Sequence, residues 1–155
     1  MTQVRIVGTS HTGITVSDIR KSMAFYRDVL GFEVSEIFDC HGELFEGITG
    51  IDGVHMEIAY AEAPGHTIEL LKYVSPGDCA PSTLRTCHPG HMHLALMVED
   101  IEAVADAAKA GGFEPMSPVI PTVKDGERKG WRAIYLRDPD GVVIELMEEP
   151  ESAQA

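Results

Sequence analysis

The chain is short of positive charge: 12 Lys and Arg stand against 25 Asp and Glu in 155 residues, a formal net charge of −13. Such a surface repels phosphate backbones, and no basic face of useful size offsets it, which argues against a nucleic-acid partner. Long apolar runs are missing as well. Without about 18 consecutive apolar residues, no segment is expected to span a membrane as a helix. The opening MTQVRIVGTSHTG lacks the basic, then apolar, then small-residue order of a secretory signal. Cysteine is scarce: Cys40, Cys79 and Cys87 are odd in number and show no CxxC spacing, so neither a disulfide framework nor a thiolate zinc site is expected. These absences predict a reduced, cytoplasmic, soluble protein. What remains, 44% apolar and 24% charged residues, is the composition of a globular core.

The chain repeats itself once. His11-Thr12-Gly13-Ile14-Thr15-Val16-Ser17-Asp18-Ile19 aligns with His93-Leu94-Ala95-Leu96-Met97-Val98-Glu99-Asp100-Ile101, with His, Val, Asp and Ile recurring at an offset of 82. Gly31-Phe32-Glu33 answers Gly112-Phe113-Glu114, and Ile68-Glu69-Leu70 answers Ile144-Glu145-Leu146. Three matches in the same order imply two similar modules, 8–75 and 91–149, joined by the Pro- and Gly-rich linker 76–90 in one domain spanning 1–155. Each module reads as strand, helix, strand, strand, strand, a βαβββ order and an α+β fold. In the first, strand 8–16 precedes an N-cap at Asp18 and a helix carrying Ile19, Met23, Tyr26 and Leu30 on one face, stopped by Gly31. Strands near 32–38, 53–60 and 66–74 follow, with Pro64-Gly65 as a turn. In the second, strand 91–98 precedes a helix from Glu99 or Asp100 to Ala110, then strands near 113–119, 131–137 and 141–148, the last two joined by the turn Asp138-Pro139-Asp140-Gly141.

Side chains alternate across a strand, so parity sorts them by face. His11 shares a face with Gly13 and Thr15, and His93 with Ala95. In both Ile-Glu-Leu triplets the carboxylate points away from its two aliphatic neighbours, which pack under the module's helix. The opposite face therefore collects His11, Glu69, His93 and Glu145. If that face is concave, two imidazoles and two carboxylates converge, and a divalent ion is the natural relief for two desolvated carboxylates. Imidazole with carboxylate suits Zn, Ni, Co, Mn or Fe, and four protein ligands leave room for substrate oxygens. His91 has the same parity as His93 and stands as a rival ligand, whereas His41, His55, His66 and His88 have no repeat partner. The stretch 124–132 is the densest in basic residues, and Arg128, Lys129 and Arg132 are candidates to bind an anionic group of the substrate.

HTGITVSDIRKSMAFYRDVLGFEV, HTIELLKY, GHMHLALMVEDIEAV and YLRDPDGVVIELME resemble the vicinal oxygen chelate superfamily, which holds glyoxalase I, methylmalonyl-CoA epimerase, extradiol dioxygenases and the fosfomycin and bleomycin resistance proteins. The resemblance covers nearly the whole chain and implies two βαβββ modules whose curved mixed sheets form a cup around one divalent ion. It places the metal positions on His11, Glu69, His93 and Glu145. A ligand at Glu69 is similar to glyoxalase I and the epimerase rather than to the dioxygenases. Thr15 and Tyr73, however, stand where glyoxalase I carries the Arg and Asn that contact glutathione. The implied activity is that of a metal-dependent isomerase or lyase. It would chelate a small carbonyl- or carboxylate-bearing substrate and move a proton through a metal-stabilised enolate, with Glu145 as base and Glu69 as the alternate. Glu46, Asp52 and Glu57 are candidates for a further base. An Fe(II) extradiol-type dioxygenase and a non-catalytic small-molecule or antibiotic-binding protein are the alternatives, and a homodimer is the expected assembly.

Overall fold

The computed structural model describes residues 5–151. The chain falls into two compact units, Met1–Asp78 and Cys79–Ala155, and the division lies inside the linker segment 76–90.

In the first unit, strand β1 (His11–Thr15) leads into helix α1 (Ile19–Ala24), where the Asp18 carboxylate accepts from Lys21 N at 3.1 Å and caps the N-terminus. A π-helical turn, Phe25–Val29, continues it until Gly31, at φ +72°, turns the chain away. Short strands β2 (Glu33–Val34) and β3 (Phe38–His41) follow, then helix α2 (Glu43–Thr49), and the long hairpin of β4 (His55–Ala63) and β5 (His66–Ser75). The sheet order is β1-β5-β4-β2, with β3 also on β4; β1 runs parallel to β5, and the other pairs are antiparallel. Ile68 and Leu70 of β5, Ala59 and Ala61 of β4, and Ile19 and Tyr26 under the helix are all at most 2% exposed and make the core of this unit.

The second unit repeats the plan. Strand β6 (Leu94–Met97) precedes helix α3 (Ile101–Ala110), whose N-cap Asp100 accepts from Ala103 N at 3.0 Å. Strands β7 (Glu114–Pro115), β8 (Arg132–Arg137) and β9 (Val143–Glu148) complete a sheet of order β6-β9-β8-β7, with β6 parallel to β9. Ile134, Leu136, Ile144 and Leu146 are buried beneath Ile101, Ala105 and Ala108. The two units thus carry the mixed-sheet α+β pattern expected from the repeat.

Three departures have local causes. The single strand expected near 32–38 is broken because Ser35 Oγ accepts from Tyr60 N at 2.9 Å and donates to Glu36 O, taking a place in the ladder with its side chain. Helix α2 escaped the periodicity because it is short, holds Gly47, and is bounded by Gly42 and Gly50, both at positive φ, without a side-chain cap. The strand expected over 113–119 shrinks to two residues because Pro115, Pro118 and Pro121 remove N–H donors from that edge.

The turn Asp138-Pro139-Asp140-Gly141 forms as expected: Asp138 Oδ1 accepts from Val142 N at 2.8 Å, and Gly141, at φ +88°, closes it. The second half of the linker is stitched to this turn, with Ser82 N donating to Asp140 O at 2.8 Å. A Cβ on Gly141 would collide with the Ser82 carbonyl, whereas one on Gly31 meets open space. Gly31→Ala is therefore expected to cost only the left-handed conformation, about 1–2 kcal/mol, and Gly141→Ala distinctly more, as read from urea unfolding of the two variants.

Candidate functional site

In each unit the glutamate of the last strand meets one imidazole. His11 Nε2 stands 3.2 Å from Glu69 Oε2, and His93 Nε2 stands 3.1 Å from Glu145 Oε2. Exposure is matched too: 38% and 14% for the side chains of the first pair, 38% and 18% for the second. Register explains the likeness. Glu69 lies opposite Gly13 on one side and Tyr60 on the other, while Glu145 lies between Ala95 and Tyr135. The small residue beside each glutamate leaves space for the carboxylate to lean along the sheet toward the histidine at the start of the neighbouring strand; a Cβ on Gly13 would already meet Glu69 Oε2 at 3.7 Å. The fourfold set expected from parity is thus described as two pairs, one in each unit. Among the described residues no group of three or more His, Cys, Asp and Glu side chains fit to hold a metal ion is formed.

The spacing within each pair suits a divalent ion. Two donors each about 2.0–2.2 Å from one ion, and about 90–110° apart around it, stand about 3.0–3.5 Å from each other. On the first histidine the second ring nitrogen is also engaged, with Ser10 Oγ 3.1 Å from His11 Nδ1. A hydroxyl there is able to accept from an Nδ1–H, the tautomer that would leave the Nε2 lone pair for a cation placed between His11 and Glu69.

Two tyrosines join the pairs. Tyr60 donates its hydroxyl to Glu69 Oε1 at 2.9 Å. The Tyr135 ring instead lies against His93, with centroids 4.9 Å apart. Burial, followed by the Glu69 hydrogen bond for Tyr60 and the Glu145 charge for Tyr135, pushes both phenols above their ordinary range, so each remains a neutral O–H donor. Neither was singled out from sequence. The signal was present, since counting outward from the Pro64-Gly65 and Asp138–Gly141 turns puts a tyrosine opposite each glutamate.

Beyond the pairs the two units differ. On the Glu69 face of the first, Cys40, Val54, Met56 and Ile58 form a second small core, with Phe45 of α2, Ile51, Tyr60, Leu71 and Tyr73 packed against it. In the second unit the corresponding face keeps a cavity of about 290 Å³, lined by Met116, Ser117, Pro121, Ala133, Tyr135 and Glu145. Apolar walls with a carboxylate at one end are the usual make-up of a small-molecule pocket.

The remaining candidates take other places. His91 Nε2 lies 3.3 Å from Arg137 Nη2 and is not paired with Glu145, which separates it from His93. Arg132 shares its face with Ile134 and Leu136, the helix side of the sheet and not the Glu145 side. There its guanidinium is bound by Glu102 and by Glu148 Oε2 at 3.1 Å, so the expectation of Arg132 as an anion clamp gives way to a bridge between α3 and β9. Arg128 lies over the Trp131 ring, 5.2 Å from its centroid, and both Arg128 and Lys129 are exposed. Glu46 accepts from Gly53 N, and Glu57 faces Arg20 and Lys72, so both carry structural contacts.

Residues 8–146 match the sequence profile of the Glyoxalase/Bleomycin resistance protein/Dioxygenase superfamily. The chain belongs to that superfamily. It is 28% identical over 151 residues to a 2-epi-5-epi-valiolone epimerase from an Actinomyces species, covering 95% of this chain and 82% of that protein. In structure it resembles a glyoxalase family protein from Bacillus cereus, at TM-score 0.82 and 23% identity over 97% of this chain and 99% of the other. It also resembles the fosfomycin resistance protein FosX from Listeria monocytogenes, solved with Mn(II) and sulfate, at TM-score 0.60 and 18% identity over 97% and 98% of the two chains. Within this superfamily member, no helix among the described residues is long and apolar enough to cross a membrane.

The position of Arg132 gives a direct expectation. Arg132→Met leaves Glu102 and Glu148 facing each other without their cation, so the melting temperature falls. Because the change lies on the helix face, the NMR shifts of the His93 ring are expected to stay as in the parent protein.

Proposed function

We propose that this superfamily member is a divalent-metal-dependent isomerase or lyase acting on a small oxygenated substrate. The candidate ligands are the two His–Glu pairs, His11 with Glu69 and His93 with Glu145. The observation that carries the reading is the duplication of one His–Glu pair, at the spacing of neighbouring ligands, on matched positions of two repeated units. The epimerase among the relatives and the Mn(II) in FosX support the same class of chemistry. When bound, the ion supplies a Lewis acid that draws electron density from a substrate carbonyl and favours negative charge on its oxygen.

The chain's own groups do the rest. Glu145, whose carboxylate borders the apolar-lined cavity, removes a proton from the carbon next to the carbonyl and returns it. Met116, Pro121 and Ala133 form an apolar wall beside that carboxylate and fit an apolar part of the substrate. Tyr135, neutral and on the same face, offers a hydroxyl to a substrate oxygen. The exposed cations Arg128 and Lys129 would serve a substrate carboxylate. The active form would be a homodimer.

The test is elemental analysis of the purified protein followed by exchange of carbon-bound hydrogen with D2O across 2-keto acids, hydroxyketones and acyl thioesters. One ion per chain is expected, with exchange that falls about 10²–10⁴-fold in Glu145→Gln and metal content that drops in Glu69→Gln. A protein that takes up no divalent ion and exchanges no hydrogen would sink the reading. Sedimentation of the same sample is expected to give twice the chain mass.

A further inference from the structure

We infer that Tyr60 is a positioning residue: by holding Glu69 Oε1 it presents Oε2 alone to His11, making Glu69 a fixed, single-oxygen ligand. The inference rests on the proposed metal site and goes beyond it by assigning different duties to two carboxylates that the repeat makes look alike.

Glu69 has its two oxygens divided between partners, Oε1 to the Tyr60 hydroxyl at 2.9 Å and Oε2 to His11 at 3.2 Å. A carboxylate tied at one oxygen cannot rotate away to collect a proton without breaking that bond, and the donor on Oε1 leaves Oε2 as the oxygen turned to His11. Tyr60 is itself braced. Its ring sits 6.0 Å from Phe38 and 6.4 Å from His11, centroid to centroid, and packs on the Cys40–Met56–Ile58 cluster. Strand β3 and helix α2 contribute Phe38, Cys40 and Phe45 to this wall; among the described residues of the second unit α2 has no counterpart, and in the place of β3 a single bridge, Thr122 to Arg132, pairs with β8.

Glu145 lacks this restraint. Tyr135 stands opposite it in the same register, yet among the described residues Tyr135 makes no hydrogen bond to Glu145 and lies against the His93 ring. The repeat thus supplies two glutamates from one ancestral pattern, one pinned by a phenol and one free to move beside a cavity. The pinned one suits constant ligation, and the free one suits proton movement.

The experiment uses the full chain stripped of metal with a chelator and titrated with Co(II), followed by visible absorbance and calorimetry. Tyr60→Phe keeps the ring and its packing and removes only the hydroxyl. It is expected to weaken Co(II) binding about 10- to 100-fold. Tyr135→Phe is expected to bind like the parent protein. Glu69→Gln weakens binding, and adding Tyr60→Phe to it brings no further loss, because the tyrosine acts only through Glu69. Unchanged affinity in Tyr60→Phe, with Glu69→Gln weakened, overturns the positioning role and leaves the metal site standing. Additive losses in the double variant assign Tyr60 a packing role and also overturn the inference. Parent-like affinity in Glu69→Gln, or no Co(II) binding by the parent protein, removes the ligand role and the inference together.

Discussion

Burial of the two aliphatic residues that flank each glutamate sets the strand register on which the rest of the site depends. Ile68 and Leu70 are fully buried against the helix of their unit, as are Ile144 and Leu146 in theirs. Alternation then leaves Glu69 and Glu145 no choice but the opposite face. A one-residue slip would put the carboxylates under the helices and the aliphatics outside, at about 1.5–3 kcal/mol for each exposed side chain before the buried charge is counted. The apolar side of the sheet therefore holds the polar side in place. The 3.1–3.2 Å His–Glu distances follow from parallel pairing of the first strand of each unit with its last.

Duplication supplied the two pairs, and divergence gave them different surroundings. In the first unit a full strand β3 and the short helix α2 bring Cys40 and Phe45 together with Met56 and Tyr73 in a small core on the glutamate side of the sheet. Tyr73, partly buried, packs against that core. The second unit kept an open, apolar-lined space beside Glu145. The repeat conserves the donors while the walls around them set what each donor faces.

In so acidic a chain, the disposition of the other carboxylates matters as much as that of the candidate ligands. Glu102 and Glu148 share Arg132, Glu57 faces Arg20 and Lys72, and Glu46 accepts a backbone N–H. The Arg132 guanidinium holds the Glu102 carboxyl below its usual range. Glu69 and Glu145 each have an imidazole as neighbour and no Lys or Arg salt bridge among the described residues, an arrangement that the exposed Asp39 shares beside His55 and His41. An imidazole can yield its lone pair to a cation, which a guanidinium cannot do. What sets Glu69 and Glu145 apart from Asp39 is their matched register in the two units, not the pairing alone.

Periodicity, capping residues and the internal repeat were enough to define the α+β class, the two repeated units, the Asp18 and Asp100 helix starts and the Asp138–Gly141 turn. These features arise from short-range chemistry: alternation, N-caps, and glycine where φ is positive. Parity put His11, Glu69, His93 and Glu145 on the faces away from the helices, and the repeat offset favoured His93 over His91. Side-chain partners were decided elsewhere. Pairing of Tyr60 with Glu69, removal of His91 to Arg137, the turning of Arg132 to the helix face, and the packing of α2 over Met56 all depend on which strands lie side by side and in what register. Those neighbours are distant in the chain, and only the assembled sheets bring them within a hydrogen bond of each other.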